Sequence, residues 1–439
     1  MRYLYMKKIL RLIHIHFSAL FISIAATGCI DDSVTTSGAA QPEFSSDTIS
    51  LGTMWAGETS STAMMRIYNR GAKGIILSRV AVAVCSGGNL RLNLDGMSGN
   101  EFHDIEIRAN DSLFLLAEVT PAPGFTASVE VTANGLTHTI PVSGTTISPM
   151  ELTDMTFTSD FTIPAGSSVR IGGSLTVAPE ATLTIEQGAT LYFRDGSRLT
   201  VEGTIIAGGT PGAQITLRGD RLGNVVRSIP FDVMAGQWEG IDFGDASCGN
   251  ELTCVSVLNT RSGISLSSES DIALTNCRIS NSQSALLTAQ DARIDATGCE
   301  FSNAASALLH LSGGNTQLTR CTLSNHYLFS FPTGAAITLL GDAALTVTGS
   351  IIHGDGPELS APAPLSPAVL FSNCLFGSNG SDDSNFNGCI WQTDPLFMLD
   401  LDNYVMDFRL NPDSPARNKA SHARTDRFGV SGTSLGAYN

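Results

Sequence analysis

Glu300 stands midway along the chain between two arginines, Arg278 and Arg320. If the three side chains lie together, the carboxyl group could act as a general acid or base in cleaving a polysaccharide. Inverting hydrolysis would need a second carboxyl group about 6.5–9.5 Å away, and the equivalent positions of neighbouring copies offer only Glu300. Opposite charges on neighbouring strands also form ordinary cross-strand pairs, so the pattern favours a structural ion pair over a catalytic site.

Three cysteines, Cys277, Cys299 and Cys321, recur at the same interval that separates Arg278 from Glu300. A metal site needs ligands that converge on one point, whereas a fixed interval stacks side chains in a column. The sequence contains neither an HExxH motif nor a phosphate-binding loop. We therefore expect buried thiols, with no metal and no cofactor.

Both sets of residues belong to a 22-residue repeat, whose copies include "TNCRISN", "TGCEFSN" and "TRCTLSN". Strand side chains alternate between two faces. The threonine, cysteine, large apolar and asparagine positions therefore share the inner face, and the mainly polar positions between them point outward. Stacked copies would place equivalent residues in columns, which predicts a structural ladder. Its polar and thiol positions are Asn259, Asn281, Asn303, Asn325, Cys277, Cys299 and Cys321.

Apolar triplets at a fixed, shorter spacing precede this repeat, beginning with Leu175-Thr176-Val177 and Leu183-Thr184-Ile185. Three such steps make one coil with three short strands, and a fixed period of this length indicates a solenoid. The arrangement resembles the right-handed parallel β-helix. Between about residues 165 and 410 there is room for roughly ten coils of 22–24 residues.

A different pattern, with short alternating strands between turns, precedes the solenoid. About seven strand-like runs, one pair joined by Asn134-Gly135, fit an immunoglobulin-like β-sandwich. Cys85 is the only cysteine there, so the disulfide core of true immunoglobulins is missing. The predicted fold is all-β, with a sandwich followed by a right-handed parallel β-helix. We divide the chain into a signal peptide (1–28), a tether (29–41), the sandwich (42–147) and the β-helix with a C-terminal cap (148–439).

The N-terminus has the composition of an export signal, with basic residues followed by an apolar run. The stretch Ala26-Thr27-Gly28-Cys29 resembles a bacterial lipobox. That resemblance implies that Cys29 is lipidated, becomes the mature N-terminus and anchors the protein in a lipid bilayer. The acidic residues that follow resemble a surface-export signal. We therefore expect a lipid-anchored, surface-exposed protein of the outer membrane.

Export would also permit disulfides, because extracytoplasmic compartments are oxidising. Cys248 and Cys254 flank one short segment, and Cys374 and Cys389 flank another. Both pairs are candidate disulfides.

The formal net charge of −16 limits the partners of this chain. Nucleic-acid phosphates require cationic partners, so we expect no nucleic-acid ligand. The same charge argues against electrostatic docking on an anionic bilayer.

Nearly the whole mature chain resembles one family, the uncharacterised Bacteroidota-type surface lipoproteins that join an immunoglobulin-like domain to a right-handed β-helix. The stretches that carry the resemblance include "FSSDTISLGT", "IYNRG", "GQWEGIDF", "YVMDFRLNPDSPARNKA" and the closing "LGAYN". The family has no known catalytic residues to transfer to this sequence.

These observations favour a non-catalytic binding or structural protein of the cell surface, which contacts carbohydrate or host matrix. A polysaccharide-degrading lyase or glycoside hydrolase, working at Glu300 with Arg278 and Arg320 on the outer face, is one alternative. A scaffold subunit of an outer-membrane complex, with a surface protein as partner, is another. Fold resemblance by itself does not decide among them.

Overall fold

The computed structural model describes residues 33–226 and 229–439. The predicted signal peptide and lipidation site at Cys29 lie outside the described residues. The chain divides into two compact units, Met1–Ser148 and Pro149–Asn439. Within the described ranges the regular elements are strands, except for the short 3₁₀ helices Phe231–Val233 and Leu401–Asn403. In that part of the chain no helix has the length and hydropathy of a membrane span.

The first unit contains an antiparallel sheet built around two long strands. Its strands are β1 (Glu43–Phe44), β2 (Ile49–Trp55), β3 (Ala63–Asn69), β4 (Ile75–Leu94), β5 (Met97–Gly99), β6 (Glu101–Ile107), β7 (Asp111–Ala133) and β8 (Leu136–Ile147). The order β1-β3-β7-β4-β5 forms the main path, β6 adds to β4, and β8 adds to β7. The parallel pairing of β2 with β8 is the exception. The immunoglobulin-like sandwich remains a prediction.

The second unit consists of many short strands. They begin with β9 (Met150–Phe157), β10 (Phe161–Ile163), β11 (Ser168–Val177), β12 (Thr182–Glu186), β13 (Thr190–Phe193), β14 (Arg198–Val201), β15 (Thr204–Gly208), β16 (Ile215–Gly219), β17 (Asn224–Val226), β18 (Ile229–Pro230), β19 (Gly240–Phe243) and β20 (Asn250–Thr253). Next come β21 (Val255–Thr260), β22 (Ile264–Leu266), β23 (Asp271–Thr275), β24 (Arg278–Ser282), β25 (Leu287–Gln290), β26 (Arg293–Thr297), β27 (Glu300–Ala304), β28 (Leu309–Ser312), β29 (Asn315–Thr319) and β30 (Thr322–Asn325). The remainder are β31 (Ile337–Leu340), β32 (Ala344–Thr348), β33 (Ile351–Gly354), β34 (Leu359–Ser360), β35 (Val369–Ser372), β36 (Leu375–Phe376), β37 (Phe386–Asn387), β38 (Arg424–Thr425) and β39 (Ser431–Gly432).

Apart from the antiparallel pairs β17–β18 and β38–β39, these strands stack in parallel on three sides of a solenoid. One side is the ten-stranded sheet β10-β12-β15-β20-β23-β26-β29-β32-β35-β37. A second side runs through β21, β24, β27 and β30, and a third through β22, β25 and β28. Asp271 of β23 pairs with Arg293 of β26, one sequence repeat further along the chain. The prediction of an all-β chain whose solenoid has about ten coils, each matching the sequence repeat, is confirmed.

The solenoid interior is a continuous apolar core made of stacked columns. One column runs through Val257, Ile279, Phe301 and Leu323, which pair in register across β21, β24, β27 and β30. All four are almost completely buried. Burying each such side chain contributes about 1.5–3 kcal/mol, so the repeat supplies its own stabilisation at every coil.

Each coil turns sharply between the first side and the second through a residue with positive φ. This column contains Cys254, Asn276, Gly298, Arg320, Gly349, Asn373 and Gly388. Glycine and asparagine adopt this conformation most easily, which explains most of the column. Gly298 also leaves room for Arg424, because a Cβ there would lie 2.0 Å from Arg424 Nη1 and the guanidinium would have to move.

The coil at β16 carries an insertion before the solenoid resumes at β19. It contains β17, β18 and the helix Phe231–Val233. Trp238 ends the insertion with its indole ring fully buried in the solenoid. The backbone N–H of Gln237 donates to Asn259 O at 2.8 Å, so the returning chain is fixed against the next coil.

The C-terminal segment, residues 396–439, lies over the outer face of the second side. The backbone N–H of Ala437 donates to Thr322 Oγ1 at 2.9 Å, and that of Gly436 donates to Gly349 O at 2.9 Å. Arg427 reaches Ser256 at 2.7 Å, several coils earlier. The outward positions that alternate with the ladder are therefore outside the core, as predicted, but many are covered rather than solvated. The prediction that the threonine positions face inward is wrong for Thr275 and Thr319, which are exposed because the positive-φ residue after each one interrupts the alternation.

Candidate functional site

A cavity of about 320 Å³ lies between the outer face of the second side and the C-terminal segment. Its floor comes from β21, β24 and β27, and its wall from the segment. The lining residues are Gln214, Ser256, Arg278, Glu300, Met406, Asp407, Phe408, Arg409, Arg427, Phe428 and Tyr438. The volume is within the range of small-molecule sites. Two of these residues, Glu300 and Arg278, were candidates from the sequence analysis. The other lining residues were not.

Glu300 is 3% exposed, and its carboxylate is engaged by its neighbours. The Ser302 hydroxyl donates to Oε1 at 2.6 Å, and the Tyr438 hydroxyl donates to Oε2. Arg278 Nε lies 3.1 Å from Oε1 and forms an ion pair with it. Burial, reinforced by the Glu300 carboxylate, raises the pKa of Tyr438 well above its usual range, so the phenol stays a proton donor. The contacts describe a buried ion pair with a hydroxyl on each carboxylate oxygen.

The other acid of the cavity, Asp407, is also paired. Arg409 Nε donates to Asp407 Oδ1 at 2.9 Å, and Arg409 Nη2 donates to Oδ2 at 2.5 Å. Burial opposes the charged form of Asp407, but these hydrogen bonds outweigh it and lower its pKa. The cavity thus has two carboxylates, and each is held by an arginine.

Arg320 does not join Glu300, contrary to the expected trio. It occupies the positive-φ turn rather than the strand, with φ of 53°. Its guanidinium donates to His422 O and to Asn439 Oδ1, both at 3.0 Å. Burial, with a smaller effect of Arg424, lowers the pKa of Arg320 to about 10. Its side chain binds the C-terminal segment and is not among the residues that line the cavity.

Arg427 and Phe428 are among the residues of this site that the sequence analysis did not identify. Asp426 positions both: its Oδ1 accepts the backbone N–H groups of Phe428 at 2.9 Å and Val430 at 3.0 Å. The turn closes through Gly429, whose φ of 82° suits glycine. The only sequence signal was "TDRFG", a turn-forming stretch with no repeat partner.

The predicted cysteine column, Cys277, Cys299 and Cys321, is fully buried. Each thiol faces a backbone carbonyl of the preceding coil, as Cys277 Sγ does with Leu252 O at 3.1 Å. Burial raises the pKa of Cys299 well above its usual range. A small apolar side chain with a weak donor suits this position. Within the described ranges there is no cluster of three or more His, Cys, Asp or Glu that could hold a metal.

Neither candidate disulfide is present, because all eight cysteines in the described ranges are free thiols. Cys248 precedes β20 and Cys254 follows it, so that strand separates them. Cys374 and Cys389 lie on adjacent coils, beside the bridge between Leu375 and Ile390, and both are free thiols. A hydrogen bond with Cys374 lowers the pKa of Cys389 to about 7.

The asparagine positions Asn259, Asn281, Asn303 and Asn325 are buried at the bend between the second and third sides. The first three have positive φ values: 68°, 63° and 62°. The amides bind turn backbone; Asn325 Nδ2, for example, donates to Ala304 O at 3.0 Å. Asn259 and Asn281 instead both donate to Asp232 O at 2.8 Å, which attaches the insertion to the coils.

A second cavity, of about 400 Å³, lies at the later coils. Its lining includes His326, His353 and Asp394. Burial lowers the pKa of His353, so its imidazole is neutral near pH 7. The two imidazole rings are 6.0 Å apart between centroids. This cavity has fewer charged groups than the Glu300 cavity, and it lies away from the repeat positions that suggested chemistry.

Comparison with known proteins supports the architecture. The family model described as the right handed beta helix region matches residues 243–394. No curated protein matches the chain. Among solved structures, the catalytic domain of a variant GH87 alpha-1,3-glucanase in complex with nigerose is 11% identical, with a TM-score of 0.19, over 81% of this chain and 93% of that one.

A family 123 glycoside hydrolase from Clostridium perfringens is also 11% identical, with a TM-score of 0.17, and the match covers 24% of this chain. The match spans only 27% of that hydrolase. At these TM-scores the likeness says nothing about substrate or activity. Together with the stacked parallel strands, the family match identifies the solenoid as a right-handed parallel β-helix.

Proposed function

We propose that this protein is a non-catalytic saccharide-binding protein of the cell surface, anchored to the outer membrane through a lipid on Cys29. The observation that carries the binding role is the Phe428 ring, which is 52% exposed and lines the Glu300 cavity. Binding sites for small molecules combine apolar or aromatic walls with a few fixed polar groups. The amide of Gln214 and the hydroxyl of Ser256 provide such groups beside the ring.

The non-catalytic part of the proposal rests on the two carboxylates. A general acid or base must reach the proton that it transfers. Glu300 is covered by the hydroxyls of Ser302 and Tyr438 and paired with Arg278. Asp407 is held in a two-point contact by Arg409. Turnover would require one of these pairs to break, so the geometry favours binding over the alternative of hydrolysis or elimination at Glu300.

Phe428→Ala should weaken saccharide binding about tenfold, because a stacked aromatic face contributes on the order of 1 kcal/mol beyond its buried area. The measurement is titration calorimetry of the full-length protein in detergent against a panel of neutral, uronate-containing and sulfated oligosaccharides. The same mixtures, examined by mass spectrometry, should contain no shortened products.

Phe331→Ala is the matched control, since Phe331 is 70% exposed and does not line this cavity. It should leave the affinity unchanged. Reproducible product formation would overturn the non-catalytic proposal. If the Phe428→Ala and unaltered proteins bind the oligosaccharides with equal affinity, the Phe428 ring is not part of the binding site.

Cys29→Ser should abolish lipidation and move the protein from the membrane fraction to the soluble fraction. The thiol is the acceptor of the acyl chains in the lipobox family that the N-terminus resembles, and each buried methylene adds about 0.8 kcal/mol to membrane binding. Incorporation of a labelled fatty acid, read alongside fractionation, measures this. Undiminished labelling of the Cys29→Ser protein would contradict the anchor.

A further inference from the structure

Arg427 is a buried cation that the protein does not pair with a carboxylate among the described residues. Arg427 is only 3% exposed. Nη2 donates to Ser256 Oγ at 2.7 Å and to Gln214 Oε1, both of which are uncharged acceptors. Nη1 is buried and has no hydrogen-bond acceptor in the described part of the chain. Because burying an unpaired charge is costly, Nη1 marks a place where an anion would be stabilised.

Arg427 differs in its surroundings from the other buried arginines near the C-terminal segment. Arg320 and Arg424 donate to backbone carbonyl oxygens, His422 O and Ala437 O respectively. Neither of them lines the Glu300 cavity, whereas Arg427 does. The carbonyl contacts account for Arg320 and Arg424 as ties between the segment and the coils. Arg427 has the same anchoring role through Nη2, but this residue also lines the cavity, and its buried Nη1 has no acceptor among the described residues.

The charge of the cavity supports the same conclusion. Three arginines, Arg278, Arg409 and Arg427, line it with two acids, Glu300 and Asp407. The balance is 3 − 2 = +1, in a chain whose formal net charge is −16. Both acids are already bound by Arg278 and Arg409. The remaining positive charge is therefore that of Arg427, and it is enclosed where water screens it least.

We propose that the Glu300 cavity binds the oxyanion of an acidic sugar, a carboxylate or a sulfate ester, with Arg427 as the residue that determines this preference. The inference rests on the proposed saccharide-binding function and names its ligand class. The planar guanidinium donates in a fixed geometry that matches an oxyanion. Phe428 lies beside it, with 6.0 Å from the Arg427 guanidinium carbon to the ring centroid. A sugar unit that contacts the ring would thus place its anionic group beside the Arg427 guanidinium.

Calorimetric titration of the full-length protein, at low ionic strength, tests this with three probes of equal chain length: a uronate oligosaccharide, a sulfated oligosaccharide and a neutral glucan. At least one acidic probe should bind about tenfold or more tightly than the neutral one. Its affinity should fall as salt is added, because salt screens the interaction. The stronger of the two acidic probes identifies the oxyanion.

Arg427→Met should remove the preference for the acidic probe, and Arg427→Lys should retain part of it, because lysine keeps the charge but loses the planar fork. Arg293→Met is the matched control: it removes an exposed arginine that does not line the cavity, so it changes the net charge equally and leaves the site intact. Thermal unfolding of each variant checks that the C-terminal segment stays folded. If Arg427→Met does not fold, the comparison of Arg427→Lys with Arg293→Met and the salt dependence of the unaltered protein carry the test.

Equal binding of neutral and acidic probes, with no effect at Arg427, overturns the anion preference and leaves the saccharide-binding function standing. Inorganic sulfate that binds at Arg427 as tightly as any sugar probe overturns saccharide recognition and leaves an anion site. Absence of binding by every probe overturns both.

Discussion

Glu300→Gln should lower the free energy of unfolding by about 2–3 kcal/mol. Breaking a buried ion pair by removing one partner costs about 3–5 kcal/mol, and the Arg278 side chain is 30% exposed, so water compensates part of that loss. The glutamine also turns one of the two acceptor oxygens into a donor group. Either the Ser302 or the Tyr438 hydroxyl then faces a donor instead of an acceptor. Denaturant unfolding followed by circular dichroism measures the change.

Glu251→Gln is the control for this substitution, because Glu251 is an exposed glutamate of β20. It should shift the unfolding free energy by no more than about 0.5 kcal/mol. A Glu300→Gln protein that retains full stability but loses a measurable turnover would contradict the structural role and restore the catalytic interpretation. The unfolding measurement therefore tests the structural interpretation without requiring the ligand to be known.

The sequence predicted the solenoid because its information is local and periodic. A constant repeat length, together with alternation along each strand, is enough to assign Val257, Ile279, Phe301 and Leu323 to the core. Each coil repeats the same constraint, so one misplaced residue does not disturb the pattern. The sandwich signal is weaker, because alternating strands between turns do not specify which strands pair. The long strands β4 and β7, which pair with several others, illustrate this limit.

The cover over Glu300 could not be predicted from the repeat. Alternation shows that Glu300 points away from the core, but an outward position can face solvent or another segment. Tyr438, which binds Glu300, is 138 residues further along and belongs to no repeat. The contacts of Arg427 with Ser256 span 171 residues. Such pairs leave no periodic trace, so the site had to be read from the structure.

One property of the outward positions is consistent with the cover. Ser280 and Ser302 are small, fully buried and 2.8 Å apart between their Oγ atoms. Small hydroxyl side chains on an outward face allow a second layer to approach closely, and they provide hydrogen bonds that satisfy that layer. A solvated face would tolerate larger charged residues at the same positions.

Trp238→Ala should lower the free energy of unfolding of the solenoid by about 4 kcal/mol, because replacing a core Phe or Trp with Ala typically costs about 3–5 kcal/mol. Its ring stacks on Phe193 with centroids 3.9 Å apart and planes inclined by 12°. Its Nε1 donates to Leu258 O at 2.7 Å. The side chain thus ties β13 and β21 to the end of the insertion, just before the coils resume at β19.

Trp238→Phe separates the two contributions, because phenylalanine keeps an aromatic ring against Phe193 and loses the hydrogen bond to Leu258. It should cost about 1–2 kcal/mol from the unsatisfied carbonyl in addition to a smaller packing loss. Unfolding in denaturant and proteolysis of the insertion between β16 and β19 measure the effects, with cleavage expected first in Trp238→Ala. A decrease of less than about 1 kcal/mol in the free energy of unfolding of Trp238→Ala would contradict this role. The coils on either side of the insertion would then be held together without the indole, and the core would not be continuous at this level.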